Sequence, residues 1–156
     1  MTLKFTVWTF LTAILMACTN NNVFFAYHSI PLKGWNMDSV YNFNIPIKDT
    51  TIAYNIYVNV RNRSEYQHQN LWLFIQSTSP DHIQKKDTIN FFLADQRGKW
   101  LGSGLGSMYE MPVLYLQHFH FSKVGTYRFG IVQGMRDTIL VGINDIGMRI
   151  EKCSRK

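Results

Sequence analysis

The most specific chemical signal in this sequence is a short motif that ends in a cysteine, Leu15-Met16-Ala17-Cys18. A large apolar residue and a small residue directly before a cysteine are typical of a lipobox, in which the cysteine is acylated and becomes the mature N-terminus. The residues before it fit a bacterial secretion signal, because Lys4 supplies a positive charge and residues 5–17 are apolar apart from threonines. The alternative is an ordinary cleaved signal followed by a chance cysteine.

This motif predicts where the protein resides and how it is held there. The apolar run is shorter than the roughly 20 residues that a membrane-spanning helix needs. Two or more acyl chains, such as palmitate, hold a protein stably on a membrane, whereas one chain binds only marginally. We therefore predict a lipoprotein signal peptide at residues 1–17, the lipidated Cys18 and a polar tether at residues 18–30, and a single domain outside the cytoplasm at residues 31–156.

A glycine-rich segment from Gly98 to Gly106 resembles a phosphate-binding loop in composition. Such a loop needs the N-terminus of a helix behind it, and residues 107–112 do not predict a helix. We interpret the segment as a long loop between strands, in which several glycines take positive φ. It carries Lys99 and Trp100 side by side, and a tryptophan beside a cation is a composition that interface hot spots favour.

Two tryptophans lie outside the predicted strands and are candidates for binding. Trp35 follows a proline- and glycine-containing segment, residues 31–34, and Trp100 lies at the start of the glycine-rich segment. Exposed tryptophans can stack on sugars or anchor a protein partner. Trp35, Lys99 and Trp100 are therefore the candidate partner-binding residues. The alternative is that both tryptophans fold back and cap the ends of the core.

Other residue types that could perform chemistry are not arranged for it. His118 and His120 point to one face if residues 113–121 form a strand, but the spacing indicates no third metal ligand. Ser103 and Ser107 lack the strand, nucleophile and helix arrangement of a hydrolase. We therefore expect no enzymatic activity, no cofactor and no metal, and we interpret the histidine pair as the polar side of a sheet.

The charge balance and the cysteines narrow the classes of partner. The chain has 16 Lys and Arg against 10 Asp and Glu, but no basic run is long enough to follow a nucleic-acid backbone. We expect no nucleic acid as a partner; the basic excess indicates either a mild attraction to anionic membrane or glycan surfaces or simply a solvated surface. If Cys18 is lipidated, Cys153 has no intramolecular partner, so the fold does not depend on a disulfide.

The elements that must position these residues are predicted to be β-strands, because apolar residues alternate with polar ones through much of the chain. Residues 71–75 are continuously apolar, which predicts a central strand buried on both faces. Seven or eight strands without an amphipathic helix predict an all-β fold, an antiparallel β-sandwich, with a barrel as the alternative. The predicted strands are residues 40–47, 52–60, 71–75, 88–93, 113–121, 125–132, 137–141 and 146–150. The predicted core includes Tyr54, Ile56, Val58, Leu71, Leu73, Phe91, Tyr127, Phe129 and Ile131.

A series of short motifs extends over nearly the whole chain after Cys18. They are Trp35, Arg61-Asn62, Tyr66, Asn70-Leu71-Trp72-Leu73-Phe74, Asp87-Thr88-Ile89, Leu93-Ala94-Asp95, the segment 98–104, Phe121, Gly125-Thr126-Tyr127, Met135-Arg136 and the segment 145–151. In this order and spacing they resemble the gliding-motility lipoprotein GldH family of the Bacteroidetes.

The resemblance implies an accessory lipoprotein associated with gliding and with the linked type IX secretion system. It implies an anchor in the cell envelope, at the outer membrane facing the periplasm, and partners among other gliding or secretion proteins. No enzymatic activity and no binding residue come with it, and relatives that do not glide carry the same domain. The alternative function is a glycan-binding accessory lipoprotein that uses Trp35 and Trp100 as a stacking platform.

Overall fold

A computed structural model describes residues 21–153, and within that range the chain forms eleven strands and no helix. The signal peptide and Cys18 lie outside the described residues. No helix that could cross a membrane occurs between residues 21 and 153. The strands are β1 (Asn22–Ser29), β2 (Trp35–Asn36), β3 (Tyr41–Ile47), β4 (Tyr54–Arg63), β5 (Asn70–Thr78), β6 (Gln84–Phe92), β7 (Ser103–Leu105), β8 (Met108–Phe119), β9 (Gly125–Gln133), β10 (Ile139–Leu140) and β11 (Ile143–Lys152).

Two antiparallel sheets form a sandwich, which confirms the predicted fold class. One sheet has five strands in the order β1-β11-β4-β8-β7, and the other has four in the order β3-β9-β5-β6. A short pair, β10 with β2, is the third sheet. The edge strands of the two large sheets meet where the ring of Phe24 in β1 contacts Phe43 in β3, with ring centroids 6.4 Å apart.

One hydrophobic core lies between the sheets, because alternate residues of each strand point inward. In β3 the buried positions are Phe43, Ile45 and Ile47, each separated by an exposed residue. The core prediction is confirmed for every residue except Phe91, which is only partly buried against the core.

The prediction that residues 71–75 are buried on both faces is wrong. Leu71, Leu73 and Ile75 are at most 1% exposed, whereas Trp72 and Phe74 are 42% and 45% exposed. Because successive side chains of a strand point to opposite faces, the two aromatic residues lie on the outer face of the four-stranded sheet. Apolar side chains on both faces of a strand therefore do not show that both faces are covered by other parts of the protein.

The predicted tether at residues 18–30 is also corrected, because Asn22–Ser29 form β1. This strand pairs with β11, and Phe24 and Ala26 pack against the core. The sandwich therefore includes Asn22–Ser29, which the predicted domain boundary at residue 31 left out. Phe25 and Tyr27 on the outer face are apolar or aromatic like Phe24 and Ala26 on the inner face, so the sequence shows no alternation that would have revealed this strand.

The connections between strands define two ends of the sandwich. The tether end is formed by the start of β1 together with the loops 48–53, 79–83 and 120–124. Loops 79–83 and 120–124 contact each other, since Lys123 pairs with Asp81 at 2.9 Å. Phe121 of loop 120–124 also lies 5.3 Å, between ring centroids, from Tyr54 at the start of β4. The distal end is formed by the loops 30–34, 37–40, 64–69, 93–102, 106–107 and 134–138.

Candidate functional site

All three predicted partner-binding residues lie at the distal end, but Trp35 is not on the surface. Its side chain is fully buried, its ring lies 5.3 Å from that of Tyr41, and its Nε1 donates a hydrogen bond to the carbonyl oxygen of Ser39 at 3.1 Å. The prediction of an exposed ring at Trp35 is therefore wrong. The alternative is correct for this residue, because Trp35 closes the core at the distal end.

The glycine-rich segment is not one long loop. Its first part closes a tight turn, in which Asp95 Oδ1 accepts hydrogen bonds from the backbone N–H groups of Arg97 and Lys99 at 2.8 and 2.9 Å. Positive φ occurs at Gly98 and Gly106, at 79° and 67°. Between them, residues 103–105 form the edge strand β7, which pairs with the start of β8. The prediction of one long loop is therefore wrong, because the segment forms a turn and a short hairpin.

Trp100 is half-buried and Lys99 is exposed at the end of this turn. The ring of Trp100 lies 6.4 Å from that of Tyr66 and 5.8 Å from that of Tyr109, and its backbone pairs with Ala94. One side of the indole therefore supports the core and the other is open to solvent. This geometry suits Trp100 to both packing and binding.

The two histidines do not form a pair on one face of a strand. β8 ends at Phe119, His118 has a φ of 50°, and His120 lies beyond the strand end. Between residues 21 and 153, no three side chains of the His, Cys, Asp and Glu types come together as metal ligands could. Cys153 is half-buried, with its Sγ 3.3 Å from Asn55 Oδ1.

A charged cluster around Arg61 on the outer face of the five-stranded sheet was not predicted. Arg61 Nε donates a hydrogen bond to Glu110 Oε2 at 2.9 Å, and the guanidinium carbon lies 4.0 Å from the ring centre of Tyr27. The hydroxyl of Tyr27 donates to Glu110 Oε1 at 2.8 Å, and Asp145 lies 3.8 Å from Arg61 Nη1. Four neighbouring strands, β1, β11, β4 and β8, thus contribute one residue each.

The protonation of this cluster follows from its contacts. Burial and the hydrogen bond to Glu110 raise the pKa of Tyr27 to about 12. Burial alone would raise the pKa of Glu110, but the hydrogen bonds from Tyr27 and Arg61 outweigh it and hold that pKa below its ordinary value. At neutral pH the carboxylate is ionised and the phenol is neutral, so the charges satisfy one another and link the strands.

Replacing Glu110 with glutamine is expected to flatten the acid dependence of stability. Because the folded protein depresses the pKa of Glu110, its contribution is present above the unfolded value of about 4.3 and is lost as the pH falls through the lower folded value. Thermal unfolding between about pH 2 and pH 7 measures this. Glu65→Gln, at an exposed ion pair with Arg63, is the control and should leave the profile as in the wild type. An identical profile for Glu110→Gln would contradict the assignment.

An aromatic patch on the outer face of the four-stranded sheet was also missed. The patch consists of the side chains of Trp72 and Phe74. Gly134, which directly follows β9, lies beside them, and a Cβ atom at this position would come within 3.1 Å of the Phe74 ring. Met135 borders the patch, with its Sδ 3.3 Å from the backbone nitrogen of Trp72. These residues line a shallow cavity of about 550 Å³ together with exposed Arg136.

A second cavity, of about 400 Å³, lies where β6 and β8 face each other across the open edge of the sandwich. Its lining includes the rings of Phe119, Phe121 and Phe129 together with the charged side chains of Lys85 and Asp87. The hydroxyl of Tyr115 donates a hydrogen bond to Asp87 across this edge. The inward positions of β6 change here from apolar to charged residues, which leaves the edge less tightly packed.

The fold and the sequence together define a class, an antiparallel β-sandwich domain preceded in the sequence by a lipobox-like motif. The family model described as GldH lipoprotein matches residues 22–150. The chain is 34% identical to the gliding motility lipoprotein GldH homolog of Christiangramia forsetii, covering 95% of this chain and 96% of that protein. It is 32% identical to the gliding motility lipoprotein GldH of Flavobacterium johnsoniae, covering 89% of this chain and 90% of that protein.

The chain therefore belongs to the GldH lipoprotein family, as its motifs indicated. The family match begins at the first residue of β1 and ends within β11, so it spans both large sheets. Membership in this family makes the protein a lipid-anchored protein of the cell envelope.

Proposed function

We propose that this chain is a non-catalytic accessory lipoprotein of the gliding motility and type IX secretion machinery, held by its N-terminal lipid at the periplasmic face of the outer membrane. The observation that carries the proposal is the family match over residues 22–150, with relatives named as gliding motility lipoproteins. The charged cluster supports a structural role, since Arg61 and Tyr27 both donate hydrogen bonds to Glu110.

The distal end is the part of the sandwich that we assign to a protein partner. Loops on a rigid scaffold carry binding residues more often than the strands beneath them. Lys99 is exposed there and Trp100 is held in a fixed orientation by Tyr66 and Tyr109. A partly open indole beside a cation on a rigid turn is suited to anchor a partner.

Replacing Trp100 with alanine separates binding from packing. Because Trp100 is half-buried, the loss of stability should be smaller than the about 3–5 kcal/mol of a fully buried aromatic residue. The binding role predicts a folded variant that no longer retains its partner, and Lys99→Ala should weaken partner retention at nearly unchanged stability. If the amount of partner retained by the Trp100→Ala variant falls only as much as the amount of folded variant falls, Trp100 serves packing alone. A folded variant with normal partner retention and normal secretion would exclude the turn as the binding element.

Co-purification tests the proposed function. The tagged chain is isolated from detergent-solubilised envelopes of its own cells and the retained proteins are identified by mass spectrometry. We expect gliding or type IX secretion proteins to be enriched over a control purification with an unrelated tagged lipoprotein of the same membrane. Enrichment no greater than in the control would contradict the proposal.

A second candidate function is glycan binding. The aromatic patch of Trp72 and Phe74 suits this function better than a platform formed by Trp35 and Trp100. Trp35 is buried, whereas the rings of Trp72 and Phe74 are open and border a cavity with exposed Arg136. Aromatic faces can stack on sugars, and amides of Asn70 and Asn90, 2.8 Å apart on the same face, can hydrogen-bond to hydroxyl groups. Isothermal titration with envelope and dietary glycans tests this function. Binding by the wild type that Trp72→Ala abolishes and Trp100→Ala preserves would support it, and no heat with any glycan would reject it.

A further inference from the structure

The distance between the lipidation site and the folded domain is short. Thr19–Asn21 are the only residues between Cys18 and Asn22, the first residue of β1. An extended chain spans at most about 3.3–3.6 Å per residue, so the Cα atoms of Cys18 and Asn22 lie within about 14 Å of each other. β1 itself extends for about 27 Å at the usual rise of a strand. The start of β1 must therefore lie near the bilayer that holds the lipid.

The start of β1 lies at the tether end together with the ends of other strands. Asn22 pairs with Glu151 at the end of β11, and Lys152 pairs with Tyr54 at the start of β4. Tyr54 in turn pairs with Phe119, the last residue of β8. The short loops 48–53 and 120–124 then connect these strands with β3 and β9 of the other sheet. The whole tether end is thus brought close to the membrane together with Asn22.

The surface chemistry of the tether end suits a lipid headgroup layer. Lys48 and Lys152 are exposed, and Lys123 keeps 59% of its side chain exposed although it pairs with Asp81. Two apolar side chains also project at the tether end, Ile83 from loop 79–83 at 57% exposure and Val124 from loop 120–124 at 60%. Cations attract anionic headgroups at short range, and exposed apolar side chains gain by entering the interfacial layer.

We propose that the tether end is a membrane-contact surface, with Lys48 and Lys152 at the anionic headgroups, Val124 and Ile83 in the interfacial layer, and the distal end pointing away from the bilayer. This inference rests on the lipidation of Cys18 in the proposed function. In this orientation the distal turn with Lys99 and Trp100 faces away from the bilayer, toward partners that do not lie in the plane of the same membrane.

An environment-sensitive probe at each end tests the orientation. In a Cys153→Ser background, Val124→Cys at the tether end and Leu105→Cys at the distal end carry a nitrobenzoxadiazole label. Both positions are exposed, Leu105 at 94%, so neither label should disturb the core. The full lipidated chain is reconstituted into vesicles of phosphatidylethanolamine and phosphatidylglycerol. The label at position 124 should shift its emission to the blue and be quenched by spin-labelled lipids, and the label at position 105 should emit as in water.

The contribution of the lysines to membrane contact is measured with the same label at position 124 in charge-reversed variants. Lys48→Glu combined with Lys152→Glu should reduce the emission shift at position 124, and the matched distal pair Lys33→Glu with Lys99→Glu should not. Equal shifts at positions 124 and 105, or no shift at either, would overturn the inference even when the protein floats with the vesicles and lipidation therefore stands. If the protein carries no lipid on Cys18 and does not float with the vesicles, this result would instead refute the lipid anchor of the proposed function, and this inference with it.

Discussion

Replacing Phe129 with alanine should lower the free energy of unfolding by about 3–5 kcal/mol. Phe129 lies in β9, between β3 and β5, and is 3% exposed. Its ring is one of the inward side chains that fill the space between the two sheets, so its loss leaves a cavity that flanking strands cannot close. Since domains of ordinary size have stabilities of about 5–15 kcal/mol, the variant should come close to unfolding.

Chemical and thermal unfolding of the purified domain variants measure this effect. Phe92→Ala is the matched control, because Phe92 lies on the outer face of β6 at 54% exposure and its loss should change stability by only about 0.5 kcal/mol or less. An unchanged melting temperature for Phe129→Ala would show that β9 does not pair with β3 in the register that places Phe129 opposite Phe43.

Replacing Cys18 with serine should abolish membrane association of the mature protein. A serine has no thiol to acylate, and without acyl chains the anchor is lost. The variant should accumulate as a precursor with its signal still attached or as a soluble form, and it should incorporate no labelled fatty acid. Because Cys18 precedes β1, the first strand of the sandwich, the melting temperature of the sandwich should not change.

Partition into detergent and incorporation of a labelled fatty acid measure this prediction. Cys153→Ser is the control, because Cys153 lies at the end of the folded domain and should not affect either measurement. A Cys18→Ser protein that partitions into detergent as fully as the wild type would contradict lipid anchoring at this residue.

The sequence predicted strands best where one face is buried and the other is wet. β3 and β4 show this pattern, because residues such as Phe43 and Ile45 alternate with polar ones in the sequence as they do in the structure. β1 was missed because apolar residues occupy both of its faces, with Phe25 and Tyr27 on the outer face and Phe24 and Ala26 on the inner face. Local patterns therefore identify strands best where apolar and polar residues alternate.

The sequence could not tell which aromatic residues face solvent. Trp35, in the two-residue strand β2, is buried, and Trp72, in the most apolar strand, is exposed, the reverse of what the surrounding residues suggest. Burial on the outer side of a strand depends on whether another layer covers the sheet. That is a property of the whole fold, which neighbouring residues do not encode.

The charged cluster was inaccessible for a related reason. Tyr27 and Arg61 lie 83 and 49 residues from Glu110 along the chain. They meet only through the order of the strands in the five-stranded sheet and the register of each pair, and both depend on long-range packing. The individual residue types gave no sign of the contact, since each is also common on solvated surfaces.

The most direct test of the proposed function is complementation of a Flavobacterium johnsoniae strain from which its own GldH has been removed. The strain receives this chain, its own GldH as the positive control, or the Cys18→Ser variant as the negative control, and colony spreading and protein secretion are measured. We predict that this chain restores both and that the Cys18→Ser variant restores neither. A folded and lipidated chain that restores neither spreading nor secretion, where the strain's own protein restores both, would contradict the proposed function.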